Sequence, residues 1–153
     1  FVCTGNICRS PMAEAVFQKL VRDAGLSGHI EIDSAGTGHW HTGERAHPGT
    51  LRVLRKHGID DYDGRARALR TDDLKRFDYV VVMDDGHLDD VRHLQRHGDG
   101  RAQIMRLLDF APETDEREVP DPYYSGQFDH VYDLVLAGAR GLLAHLRKEH
   151  NLS

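Results

Sequence analysis

Cys3 and Arg9, with Ser10 next, are the residues of this chain whose types and spacing could do chemistry. Thr4-Gly5-Asn6-Ile7-Cys8 between them is enough backbone to curl around an oxyanion, and successive N–H groups in such a curl form an anion-binding nest. The planar fork of Arg9 would close that ring on two phosphate oxygens, leaving Cys3 beneath the phosphorus. Cysteine thiols at helix N-termini and beside cations ionise near or below neutral pH, and the thiolate is the nucleophile. The pattern therefore points to attack on a phosphoryl group. The blander alternative is that Cys3 ends a buried strand as a small hydrophobe. A Walker-type nucleotide loop is disfavoured, since no Gly-Lys-Ser/Thr follows Gly5.

A loop of this kind needs a strand before it and a helix after it. Phe1-Val2 reads as the end of a strand, too short to be a whole central one, so a few upstream strand residues are expected to be absent. Met12–Val21 places Ala13, Val16, Phe17, Leu20 and Val21 on one helical face, and Ser10-Pro11 suits its first turn. His29–Asp33 reads as a second strand, ending in a Ser34–Gly38 loop that should face the Cys3 loop across the crevice of an open sheet, with Ser34 a candidate partner for Asn6. Pro48 opens a second helix and Thr71–Leu74 starts a short one. Phe77–Met83 is a buried-type strand; Asp84-Asp85-Gly86 ends it and caps a helix around Leu88, Val91 and Leu94. Gln103–Leu108 is the last strand, and a final helix from about Gln127 to Lys148 has Phe128, Val131, Val135, Leu142 and Leu146 as its core face. The fold class is α/β: a single domain spanning 1–153, with a four-stranded, parallel, doubly wound sheet and helices on both faces.

Expulsion of an oxygen leaving group from phosphorus needs a proton donor. Asp121 stands out among many aspartates because Pro120 and Pro122 fix the backbone on both sides. It would act as acid, then as the carboxylate that activates water. Its bland alternative is a turn aspartate bonded to its own backbone. Tyr123 and Tyr124, adjacent in an exposed turn, would be costly there unless they cover something.

Cys3–Glu14, Asp33-Ser34-Ala35-Gly36-Thr37 with Trp40, and Pro120-Asp121-Pro122-Tyr123-Tyr124 resemble, in order and separation, the three markers of the low-molecular-weight protein tyrosine phosphatases. The resemblance implies phosphotyrosine hydrolysis through a phosphocysteine, without metal or organic cofactor. It implies catalytic Cys3, Arg9 and Asp121. Phosphate binding and loop support would fall to Thr4, Gly5, Asn6, Ile7, Cys8, Ser10 and Ser34, and a ring-lined rim to Ile7, Trp40, Tyr123 and Tyr124. Cys8 either packs behind the loop or, as the resemblance favours, resolves an oxidised Cys3 as a disulfide.

Two departures stand out. Relatives carry aspartate before the proline at 48, whereas His47 here is expected to weaken the helix start by about a kcal/mol or less. Many have a histidine where Gly64 stands, so the usual prop of the loop asparagine is missing.

Three rivals share part of this pattern. Protein-arginine phosphatases resemble it closely but typically have threonine at the Ile7 position. Arsenate reductases of this architecture need further cysteines, and none follows Cys8. A phosphotyrosine-binding module without turnover is the third.

At 153 residues and a net charge of −5, the chain suits one domain with no bulk reason to bind nucleic acid or an anionic membrane. Two cysteines in one loop, no apolar run of membrane length and no signal-peptide pattern make a cytoplasmic location the default. His93 and His97 lack an obvious third ligand and read as surface histidines. The expected partners are phosphotyrosine proteins and the kinase that makes them.

Overall fold

The computed structural model describes residues 1–153. Strands β1 (Val2–Cys3), β2 (Ala35–Gly36), β3 (Tyr79–Val82) and β4 (Gln103–Arg106) are all parallel and lie in the order β2-β1-β3-β4. From β1 the chain turns one way to β2 and later the other way to β3. The loops leaving the carboxyl ends of β1 and β3 therefore diverge and open a crevice between them.

The helices are α1 (Arg9–Asp23), α2 (Pro48–Lys56), α3 (Asp73–Arg76), α4 (Asp85–Arg96), α5 (Pro122–Ser125) and α6 (Phe128–Glu149). Alternation along β3 shows the two covered faces. Val81 and Met83 join a cluster of 28 buried residues shared with α1, α2 and α6, while Val80 and Val82 join one of 6 with Leu74 and Val91. All five expected core residues of α6 are buried.

Three elements differ from the sequence reading. Residues 29–33 are not a strand. The Phe1 amine donates to the Asp33 carbonyl and the Ala35 N–H to the Phe1 carbonyl, and the parallel register continues as Val2 opposite Ala35 and Cys3 opposite Gly36. β4 stops at Arg106 because Leu107–Phe110 winds into a 3-10 turn that packs on α6. Gly138 and Gly141 allow that contact: a Cβ on Gly141 would lie 1.8 Å from the Phe110 carbonyl oxygen. Finally, His47 does not leave α2 uncapped. Its Nδ1 accepts the Gly49 N–H at 2.9 Å, doing with a ring lone pair what an aspartate oxygen does, and its ring stacks on Phe128.

Candidate active site

Cys3 is buried at the end of β1, directly before the N-terminus of α1. Its Sγ accepts the Ser10 N–H at 3.4 Å and lies 3.0 Å from Ser10 Oγ. A free N–H of the first helical turn and the positive end of the macrodipole thus both face the sulfur. Asn6 turns the loop with φ +58, the left-handed region that asparagine tolerates better than most residues. Its amide holds that turn from three sides, donating to Ser10 Oγ at 2.7 Å and Ser34 Oγ at 2.9 Å and accepting the Arg67 N–H at 3.0 Å. The 34–38 loop does face the Cys3 loop: Thr37 and Gly38 N–H groups donate to the carbonyls of Cys3 and Thr4. Gly36 makes that approach possible, since a Cβ there would meet the Thr4 carbonyl oxygen at 2.6 Å.

The Arg9 guanidinium is buried. One of its nitrogens donates to Asp84 Oδ2 at 3.0 Å and to the Val119 carbonyl at 2.9 Å, and another lies 3.6 Å from Asp121 Oδ2. Asp121 is the capping aspartate of a turn and also lies beside Arg9. Its Oδ1 caps α5 by accepting the Tyr123 N–H at 3.0 Å, while Oδ2 faces the cation at the site.

Asp84 likewise does more than cap a helix. Oδ1 accepts the His87 N–H that opens α4, and Oδ2 anchors Arg9. Burial pushes the Asp84 carboxyl up, but the His87 N–H and the His87 and Arg9 side chains outweigh this and hold it below the usual range. His87 was not foreseen. It is buried, its Nε2 is 2.8 Å from Thr4 Oγ1 and its Nδ1 is 3.1 Å from Asp84 Oδ1. Burial, with the Arg9 charge adding, pushes its pKa down despite Asp84 and keeps the ring neutral. The signal in the sequence is its place at the third position of a helix opening at the carboxyl edge of β3.

Trp40 is 64% and Tyr124 86% exposed, and Tyr123 is half exposed. Trp40 folds over Gly38 and, with Thr4, Asp84 and His87, lines an open concavity of about 640 Å³. Tyr123 sits between His41 and His47, with ring centroids 6.2 and 5.9 Å away, and the His41 ring lies against Gly5 of the loop. Ile7 differs from these: at 7% exposure it is packed into the core and is not part of an exposed rim. Cys8 is also buried, and burial, followed by the proximity of Cys3, pushes its thiol up to about 12.

A family model described as low molecular weight phosphotyrosine protein phosphatase matches residues 1–152. Low molecular weight protein-tyrosine-phosphatase YfkJ of Bacillus subtilis (strain 168) is 46% identical over 153 residues, 99% of this chain and 97% of its own. Its crystal structure matches with a TM-score of 0.92 over 97% of this chain and 93% of that one. A low molecular weight protein-tyrosine-phosphatase of Streptomyces coelicolor is also 46% identical, over 97% of this chain and 93% of its own. The crystal structure of the Drosophila arginine phosphatase DARP matches with a TM-score of 0.90 at 29% identity, over 96% of each chain. The chain belongs to the low molecular weight phosphotyrosine protein phosphatase family.

Proposed function

We propose that this protein hydrolyses phosphotyrosine in proteins through a phosphocysteine intermediate. The observation that carries the reading is the Cys3 sulfur at the N-terminus of α1, accepting the Ser10 N–H with the Ser10 hydroxyl 3.0 Å away, together with the pairing of Arg9, at the start of the same helix, with Asp121. Backbone N–H groups from Thr4 to Ser10 and the Arg9 fork bind the phosphoryl oxygens. The Cys3 thiolate forms the S–P bond as the P–O bond to the phenol breaks, and Asp121 gives its proton to the departing oxygen. Asp121, now a carboxylate, takes a proton from water. The water oxygen bonds to phosphorus, the S–P bond breaks, and phosphate leaves. Ser10 stabilises the thiolate in both halves, while Asn6 and Ser34 keep the loop curled.

Trp40, Tyr123 and Tyr124 give the substrate ring apolar walls, and a long aryl phosphate reaches the loop where phosphoserine falls short. A tyrosine kinase must supply such substrates. The compartment in this reading is the cytoplasm. Because burial holds Cys8 as a thiol, peroxide oxidises Cys3 first; Cys8 then displaces water from the Cys3 sulfenic acid to form a disulfide.

The test is release of phosphate from an aryl phosphate and from phosphotyrosine and phosphoarginine peptides. Wild type should prefer the phosphotyrosine peptide, Cys3→Ser should be inactive, and Asp121→Asn should lose most of kcat. Full activity in Cys3→Ser would sink the mechanism, and a preference for phosphoarginine would move the substrate to the arginine class.

A further inference from the structure

The open concavity next to the Cys3 loop is distinct from the place where the nucleophile sits. Thr4, Asp84 and Trp40 line it, but Cys3, Arg9, Asp121 and Tyr123 do not. α4 contributes Gly86, Asp90, His93 and Leu94, which follow one another at helical spacing on one face. At about 640 Å³ it has room for a long side chain. Because Thr4 directly follows the nucleophile, a residue near a phosphotyrosine bound at Cys3 lies within reach of it.

The charges of this wall are not all spent inside the protein. Asp84 is neutralised by Arg9 at 3.0 Å, and Asp85 pairs with Arg106 at 2.9 Å. Asp90, which lines the concavity and is exposed, is left without an ion pair. Trp40 presents an indole that is 64% exposed, and Leu69 and Leu94 add half-buried apolar surface. A free carboxylate, an open indole face and aliphatic walls together complement one kind of guest. A long basic side chain lays its methylene stem on the leucines, its cation on the indole face, and its charge against Asp90. An acidic side chain in the same place would meet Asp90 with like charge, so the concavity also rejects.

We propose that this concavity is a substrate subsite for a basic residue flanking the phosphotyrosine, and that Asp90 is its specificity-determining residue. Arginine suits it better than lysine, because a planar guanidinium can stack on Trp40 and pair with a carboxylate at once. The subsite deepens the phosphatase reading of the Cys3 loop and rests on it.

The test walks a single arginine through a phosphotyrosine peptide of otherwise small, neutral residues. At one or two positions near the phosphotyrosine, arginine should raise kcat/KM about 5-fold over alanine, the size of an exposed ion pair with a cation–π contact, and the gain should lie in KM. Glutamate at the same positions should lower it. The gain should vanish in Asp90→Asn, become a preference for glutamate in Asp90→Lys, and fade in about 0.5 M NaCl. Turnover of a small aryl phosphate, which has no flanking residue, should be unchanged in both variants. Asp89→Asn, at the adjacent exposed aspartate that does not line the concavity, should keep the full gain. No gain at any position, a gain that survives Asp90→Asn, or one lost equally in Asp89→Asn overturns the subsite. Calorimetry of the same peptides on Cys3→Ser reads binding without turnover. If wild type releases no phosphate from these peptides, yet the arginine peptide binds Cys3→Ser more tightly than the alanine peptide and adding Asp90→Asn removes the difference, the phosphatase reading fails and the subsite stands. Equal binding of the two peptides overturns the subsite.

Discussion

Arg9 carries its charge into a place almost wholly removed from water, which is tolerable only because acceptors surround it. Asp84 is the nearer of its two carboxylates. Asp84→Asn leaves the α4 cap oxygen and removes the charge, so kcat/KM on an aryl phosphate should fall about 10-fold, with α4 retained by circular dichroism. Unchanged kinetics would mean that Val119 and Asp121 position Arg9 unaided. His87 gives a pH signature of stability. Its folded pKa is depressed below about 6.5, so between the two values the unfolded chain binds the proton and the folded chain does not. Stability from this group is complete above the unfolded value and is lost as pH falls through it. Tm should therefore drop between pH 7 and pH 5, and His87→Asn should flatten that drop. Both residues sit where the sequence favoured a helix cap over a role at the nearby site, because a capping aspartate and a buried anchor look alike until the Arg9 loop is brought beside β3.

Helix placement follows from patterns that are local, and its exceptions follow from contacts that are not. α2 begins at Pro48 as the sequence indicates, but the strength of its cap depends on a ring nitrogen whose orientation is set by stacking on Phe128. His47→Ala should cost about 1 kcal/mol in urea unfolding, the typical value of a lost N-cap. No measurable cost would show that the stacking, not the cap, retains His47. In α6, glycine is a poor helix former, and replacing it with alanine in isolation would gain about 1 kcal/mol. Gly141→Ala should instead destabilise by about 1–3 kcal/mol, because its methyl would enter the Phe110 carbonyl and force α6 off the 3-10 turn. Urea unfolding with an unchanged m-value reads this directly.

The molecule is built unevenly about its sheet. One face carries α1, α2 and α6 on the 28-residue cluster, and the other carries α4 on the cluster of 6. The site joins them, since Arg9 belongs to the first layer and Asp84 to the second. Amides of α4 should therefore exchange with solvent faster than those of α1 and α6, as opening α4 exposes less apolar surface. Inorganic phosphate bound at the Cys3 loop needs Arg9 in place, so it should slow exchange in α4 as well as in α1. Protection confined to α1 would show that the two layers are not coupled through Arg9.

The sequence by itself pointed to Cys3, Arg9 and Asp121 and to the alternation of strands and helices. These rest on spacing within a few residues and on hydrophobic period, which are properties of the chain before it folds. Only the tertiary structure decided what holds them. Asp84 meets Arg9 across 75 positions, and Tyr62 meets Glu14 across 48. A hydrogen bond is fixed by where two atoms lie, and for residues far apart in sequence that is known only when the sheet has ordered its strands.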